Sequence, residues 1–137
     1  MVDVTDISPT GSLPIATITG DPVARVPINA TIADVARAMV TCDVGAILIG
    51  DDPRPAALVS ERDIVRAVAA GRNPATTPVS EVASTKLVWC DAEASVDQVA
   101  ARMMDRYIRH VLVERDGALV GIVSARDVLG VYTNFDS

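Results

Sequence analysis

Residues 58–65 (LVSERDIV) and 122–129 (IVSARDVL) each set a hydroxyl, a guanidinium and a carboxylate, in the same order, behind an apolar run. The groups are Ser60, Arg62 and Asp63 in the first stretch and Ser124, Arg126 and Asp127 in the second. Two kinds of chemistry fit them. Ser-x-x-Asp after an apolar run is a capping box, in which the serine oxygen accepts a backbone N–H and the carboxylate reaches back to another. The same groups could also seat a ligand. A carboxylate accepts from a vicinal diol, while hydroxyl and guanidinium groups donate to a phosphate, and a helix N-terminus favours an anion. A cation in a first helical turn is disfavoured by roughly a few tenths of a kcal/mol. Two identical placements of arginine there point to something anionic nearby. A solvated first turn, with Glu61 balancing Arg62, is the structural alternative.

These groups recur at a fixed offset of 64 residues (124 − 60), and so does most of the chain. Shifting by that amount aligns residues 31–67 with 95–131 without a gap. Val35, Ala36, Met39, Leu48, Asp52 and Val59 then meet identical residues, as do the Ser, Arg and Asp above. Such a repeat dictates two copies of one unit.

Each copy opens on a short extended piece, at residues 23–27 (VARVP) and 86–90 (KLVWC). Ile32, Val35, Ala36 and Met39, and again Val96, Val99, Ala100 and Met103, carry helical spacing. Thr31 with Asp34, and Ser95 with Gln98, supply cap signals. Buried strands follow, AILI in one copy and HVLV in the other, and then a turn. That turn holds Asp116-Gly117, a hairpin dipeptide, in the second copy and GDDPRP in the first. A third strand runs into Ser60 or Ser124, where a second helix begins. The predicted order is β-α-β-β-α, twice, an α+β fold.

We expect residues 1–14 to form a flexible N-terminal arm, 15–72 the first repeat, 73–78 a linker, 79–132 the second repeat and 133–137 a C-terminal tail. A unit of this size is marginal alone, and a pseudo-twofold axis would let two copies cover each other sheet to sheet.

Composition narrows the function classes. Half of the residues are apolar and only 3% aromatic, so the core must be aliphatic. The net charge of −6 argues against a nucleic-acid backbone as partner. No apolar run is long enough to span a bilayer, and the first residues lack a secretory pattern, so a cytoplasmic protein is expected. Cys42 and Cys90 lie outside any CxxC, and His110 is the only histidine, which predicts no metal site. Neither a catalytic frame nor a Gly-rich phosphate loop is present, so no enzyme is expected.

At the two motifs the chain resembles the CBS domain pair (cystathionine-β-synthase-type, or Bateman, module). Residues 121–128 (GIVSARDV) match that family's G-h-h-S/T-x-x-D-h ending, and 57–64 (ALVSERDI) match it with Ala57 in place of glycine. The likeness spans about residues 15–132. It implies a stand-alone regulatory module whose clefts between repeats bind an adenosine-containing molecule, such as AMP, ADP, ATP, an NAD-type ligand or S-adenosylmethionine, with no cofactor required. It further implies Asp63 and Asp127 at the ribose and Ser60 and Ser124 near the phosphates. Ile18, Val44, Val82 and Ile108 would be adenine-side walls, with a place in the core as the alternative for each.

Arg109 and His110, where the first copy has Gly45 and Ala46, are additional candidates that single out the cleft of Asp127; a solvated strand-edge charge and a partly buried polar residue are the structural alternatives. The helix ERDIVRAVAA is apolar on more than one face, which, with the family's habit, predicts a homodimer acting on an unknown protein target. A ligand-free adaptor homodimer that holds a protein partner is the competing function.

Overall fold

The computed structural model describes residues 11–19 and 23–133 of the 137. It is an α+β structure with four helices and two three-stranded sheets. The chain divides into two compact units, Pro22–Leu87 and the pair of segments Met1–Asp21 and Val88–Ser137.

In the unit Pro22–Leu87, β1 (Arg25–Val26) leads to α1 (Ile32–Cys42), β2 (Ala46–Ile49), β3 (Leu58–Ser60) and α2 (Glu61–Ala69). The sheet order is β1-β2-β3, with β1 parallel and β3 antiparallel to the central strand. Thr31 caps α1 with the full reciprocal box to Asp34. The apolar face of that helix, Val35 and Met39, lies in one buried cluster with Ile47, Ile49, Val59 and Val79. Leu48, which the alternation of a strand sends to the opposite side of β2, is fully buried as well. Both faces of the central strand are therefore covered, which explains its uninterrupted apolar sequence.

The other unit repeats this order with β4 (Trp89–Asp91), α3 (Val96–Arg106), β5 (His110–Arg115), β6 (Ala118–Ser124) and α4 (Ala125–Thr133). Ser95 and Gln98 form the box on α3. Asp116 and Gly117 take positive φ angles of 54° and 81° between the paired Arg115 and Ala118, the two-residue type I′ hairpin that the dipeptide predicts. In the first copy the longer loop is tied down instead by Arg25, whose Nη1 donates to the carbonyls of Gly50 (3.0 Å) and Asp52 (2.9 Å). Helices α1 and α3 end alike, on left-handed residues Asp43 and Tyr107.

The compact units are offset from the sequence repeat. Ile15, in a short 3-10 turn over Ile15–Ile18, belongs to the buried cluster of α3, β5, β6 and α4. Its counterpart Val79, in the turn Val79–Glu81, belongs to the cluster of α1, β2 and β3. Both are 0% exposed. The turn that opens each copy is thus built into the core of the unit holding the other copy's helices. The last residues of the expected arm are tied in with it. Gly11 and Leu13 accept from the N–H groups of Asp97 (2.9 Å) and Val96 (3.0 Å), while residues 1–10 lie outside the described residues. The expected linker is held too, with Pro74 and Thr77 accepting from Ala33 (2.9 Å) and Ile32 (3.0 Å) at the start of α1.

Both cysteines are free thiols, Cys42 exposed and Cys90 buried in β4. Burial pushes the Cys90 thiol above its ordinary range, with Arg102 opposing and Asp91 and Glu114 adding to the rise. Titration of the native protein with a thiol-reactive chromophore should consume one equivalent quickly, at Cys42, and a second only on unfolding. Two fast equivalents would contradict the packing of β4.

Candidate functional site

Both Ser-x-x-Asp stretches sit where an outer strand turns into a helix. In the first, the Oδ2 atom of Asp63 accepts from the Ser60 backbone N–H (2.8 Å) and hydroxyl (3.0 Å), and the Asp63 N–H donates to Ser60 Oγ (3.3 Å). In the second, Asp127 Oδ2 accepts from the Ser124 N–H (2.8 Å) and Ser124 Oγ accepts from the Asp127 N–H (3.0 Å). The capping reading is therefore correct for both copies.

The caps leave the first helical turn largely satisfied. Glu61 N–H donates to the Gly45 carbonyl (3.0 Å), and Ala125 N–H does the same to Arg109 (2.8 Å). Of the first three N–H groups in each helix, only those of Arg62 and Arg126 lack an acceptor among the described residues. Among the described residues, one N–H per copy is thus left free at these helix starts. The side chains of Arg62 and Arg126 are exposed and, among the described residues, unpaired.

The caps also leave one oxygen of each carboxylate unused. Asp63 Oδ1 and Asp127 Oδ1 take no hydrogen bond among the described residues. Asp63 is half-buried and Asp127 exposed. Asp63 lines an open groove of about 300 Å³ together with Arg66, Ala67, Ala70, Arg72 and Val82. All four apolar positions named as walls pack against the cores of their units, and Val82 also lines this groove.

Arg66 and Arg72 escape a reading fixed on the Ser-x-Arg-Asp string. The available signal was helical geometry. Residues three, four and seven beyond Asp63 share its face, and these are Arg66, Ala67 and Ala70, whereas Arg62 points about 100° away. Arg72 is paired with Glu81 at 2.8 Å.

The copies differ around their helix starts. A Cβ on Gly45 would meet Glu61 Oε1 at 2.8 Å, so the acid lies over the glycine. The second copy has Arg109 and Ala125 at these two positions, an exposed cation without the acid. His110, directly opposite Ser124 in the antiparallel pair, is half-buried. Arg109 and His110 single out the second copy in the sequence; the groove described above belongs to the first. Among the described residues no group of three His, Cys, Asp or Glu could hold a metal ion, and no helix is long and apolar enough to cross a membrane.

The duplicated fold, with its paired strand-to-helix corners, has counterparts. Residues 15–70 and 79–134 each match the CBS domain. The chain belongs to the CBS-domain family. It is 36% identical over 107 residues to the CBS domain-containing protein YhcV of Bacillus subtilis, covering 77% of this chain and 76% of that one. Hypoxic response protein 1 of Mycobacterium tuberculosis is 36% identical over 100 residues, covering 72% of this chain and 70% of the relative. A structure of Hypoxic Response Protein I, solved with two coordinated zinc ions, matches with a TM-score of 0.69 and 33% identity over 85% of this chain and 96% of that one. A CBS domain protein from Pyrobaculum aerophilum, solved in complex with AMP, matches with a TM-score of 0.76 at 33% identity, covering 84% of this chain and 89% of that one.

The glycine that opens the second motif, and Ala57 that replaces it in the first, have a local explanation. A Cβ on Gly121 would lie 2.8 Å from Thr19 Cβ. The repeat-equivalent positions in the other unit are Ala57 and Ala83, so a methyl on the strand is matched by a smaller residue opposite the motif. Replacing a strand glycine by alanine ordinarily gains about 0.5–1 kcal/mol, but overpacking costs about 1–3 kcal/mol, and the clash is with a Cβ that cannot swing aside. Gly121→Ala should therefore lower stability in urea unfolding, and the same substitution should cost much less in a Thr19→Gly chain, which lacks the opposing Cβ. An undiminished loss in the double variant would remove this explanation.

Proposed function

We propose that the chain is a regulatory module that binds an adenosine-containing small molecule (AMP, ADP, ATP or an NAD-type ligand) and acts in trans on a separate protein, without catalysing a reaction itself. One observation carries the reading. The Asp63 carboxylate is held rigidly through one oxygen, is open at the other, and lines a groove at the lower end of the size range for small-ligand pockets. An oriented carboxylate oxygen is what a ribose diol needs, and Val82 with Ala67 and Ala70 offers apolar surface beside it. AMP in the relative from Pyrobaculum aerophilum, at 33% identity, supports an adenine nucleotide here. In this reading Asp63 and Asp127 take the sugar, Ser60 and Ser124 lie toward the phosphates, and Arg62, Arg126, Arg109 and His110 supply the surrounding positive or donor groups.

Thermal unfolding with AMP, ADP, ATP, NADH and S-adenosylmethionine tests this. A ligand at 100 times its dissociation constant adds about 2.7 kcal/mol, a rise of roughly several degrees for a domain of this size. The shift should vanish in the Asp63→Asn, Asp127→Asn double variant, whose amides can still cap. No shift with any of these ligands would leave the adaptor homodimer as the better account.

The same module is proposed to work as a homodimer. Val65 and Val68 on α2 and Leu129 on α4 are 66%, 55% and 61% exposed, and Val65 and Leu129 occupy equivalent positions in the two copies. Apolar side chains at matched sites on both second helices are suited to an isologous contact. Light scattering at micromolar concentration should give twice the chain mass, falling to the monomer in Val65→Asp, Leu129→Asp. A monomeric parent protein would refute the dimer.

A further inference from the structure

We propose that Arg66 makes the groove beside Asp63 a reader of phosphate, selecting a nucleoside phosphate over the uncharged nucleoside and over a cationic analogue. The inference rests on the nucleotide-binding reading above and names the ligand class of that site.

An internal control within the chain carries it. Helices α1 and α2 begin with the same local motif, a capping box whose N3 residue is aspartate, followed three residues later by arginine. In α1 the motif closes on itself. Asp34 Oδ2 accepts from the Thr31 N–H (2.9 Å), and Oδ1 is taken by Arg37 Nη2 at 2.7 Å. In α2 the first half is the same, but the second is missing. Asp63 Oδ2 accepts from Ser60, while Oδ1 and the Arg66 guanidinium each make no bond among the described residues. Residues three apart on a helix can reach each other, as Asp34 and Arg37 do, so spacing is not what keeps Asp63 and Arg66 apart. What distinguishes the open pair is its place. Both of its members line the groove.

The groove walls therefore present one open acceptor and one open cation, on residues whose Cα atoms are about 4.5 Å apart along the helix axis. Ala67 and Ala70 are too small to fill the space beside them. The other lining cation, Arg72, is already balanced by Glu81. A ligand that carries a diol and a phosphate satisfies Asp63 and Arg66 together through charge-assisted hydrogen bonds, with the phosphate in this copy turned toward Arg66 rather than toward Ser60, which does not line the groove. An uncharged nucleoside satisfies only Asp63, and a sulfonium would be set against a like charge. Gly130 stands at the position of Arg66 in the second copy, so this selectivity belongs to one copy alone.

Calorimetric titration with AMP and with adenosine tests the proposal, in an Asp127→Asn background that silences the second motif. AMP should bind about tenfold more tightly than adenosine, the effect of one charge-assisted contact. Arg66→Gln should weaken AMP by about that factor and leave adenosine within about twofold, with Arg66→Lys intermediate. A structural role for Arg66 would move both ligands together. Equal losses for AMP and adenosine, or no loss for either, would overturn the proposal while leaving nucleotide binding intact. Failure of the parent protein to bind either compound would instead remove the underlying reading, and this inference with it.

Discussion

The corner at which an outer strand becomes a helix is the constraint that organises each half of the molecule. At Ser60 and at Ser124 the chain must leave a sheet and enter a helix within one residue, which strands the first backbone N–H groups of that helix. The reciprocal serine–aspartate box, together with the carbonyl of Gly45 or Arg109, resolves this in both copies. A consequence is that the carboxylate cannot rotate freely. With Oδ2 committed to the serine N–H, the direction of Oδ1 is fixed by the fold. A capping residue thereby becomes a pre-oriented acceptor, so the proposed ligand contact would not compete with the cap. They use different oxygens of the same group.

Much of this was legible in the sequence, because the signals are local. The 64-residue offset, the periodicity of Val35, Met39, Val99 and Met103, the four capping boxes and the Asp116-Gly117 hairpin each depend on contacts within a few residues. What could not be read depends on which distant segment fills which space. Ile15 and Val79 are ordinary apolar residues in turns, and nothing nearby says that each completes the core of the unit holding the other copy's helices. The same holds for Arg66. Its significance lies in an ion pair that does not form, and only the comparison with Arg37 in space makes that visible.

The two copies have diverged in a compensated way. Where Gly121 accommodates Thr19, the other unit has Ala57 and Ala83, exchanging volume across the same position. Where Glu61 lies over Gly45, the other has Ala125 and Arg109, exchanging an acid for a base beside the same cap. Volume changes must be balanced because the interior is close-packed. Charge changes at a solvated helix start need not be, and they alter the local potential instead. The first kind of difference preserves the fold, and the second leaves two corners of the same shape with different electrostatic character.

Helix α2 shows how these requirements meet in one short element. It has nine residues, and only Ala67 is fully buried. A helix of that length does not persist in water on its own propensity. Its position is therefore set by the Ser60–Asp63 box at one end and by the packing of Ile64 and Ala67 along one side. The remaining surface carries the groove residues Asp63 and Arg66 and the exposed Val65 and Val68. Elements with few buried contacts lie at the low end of local stability. A molecule that engages either surface of α2 thus acts on a short element with little buried surface of its own, and through the shared box it acts on the end of β3 as well.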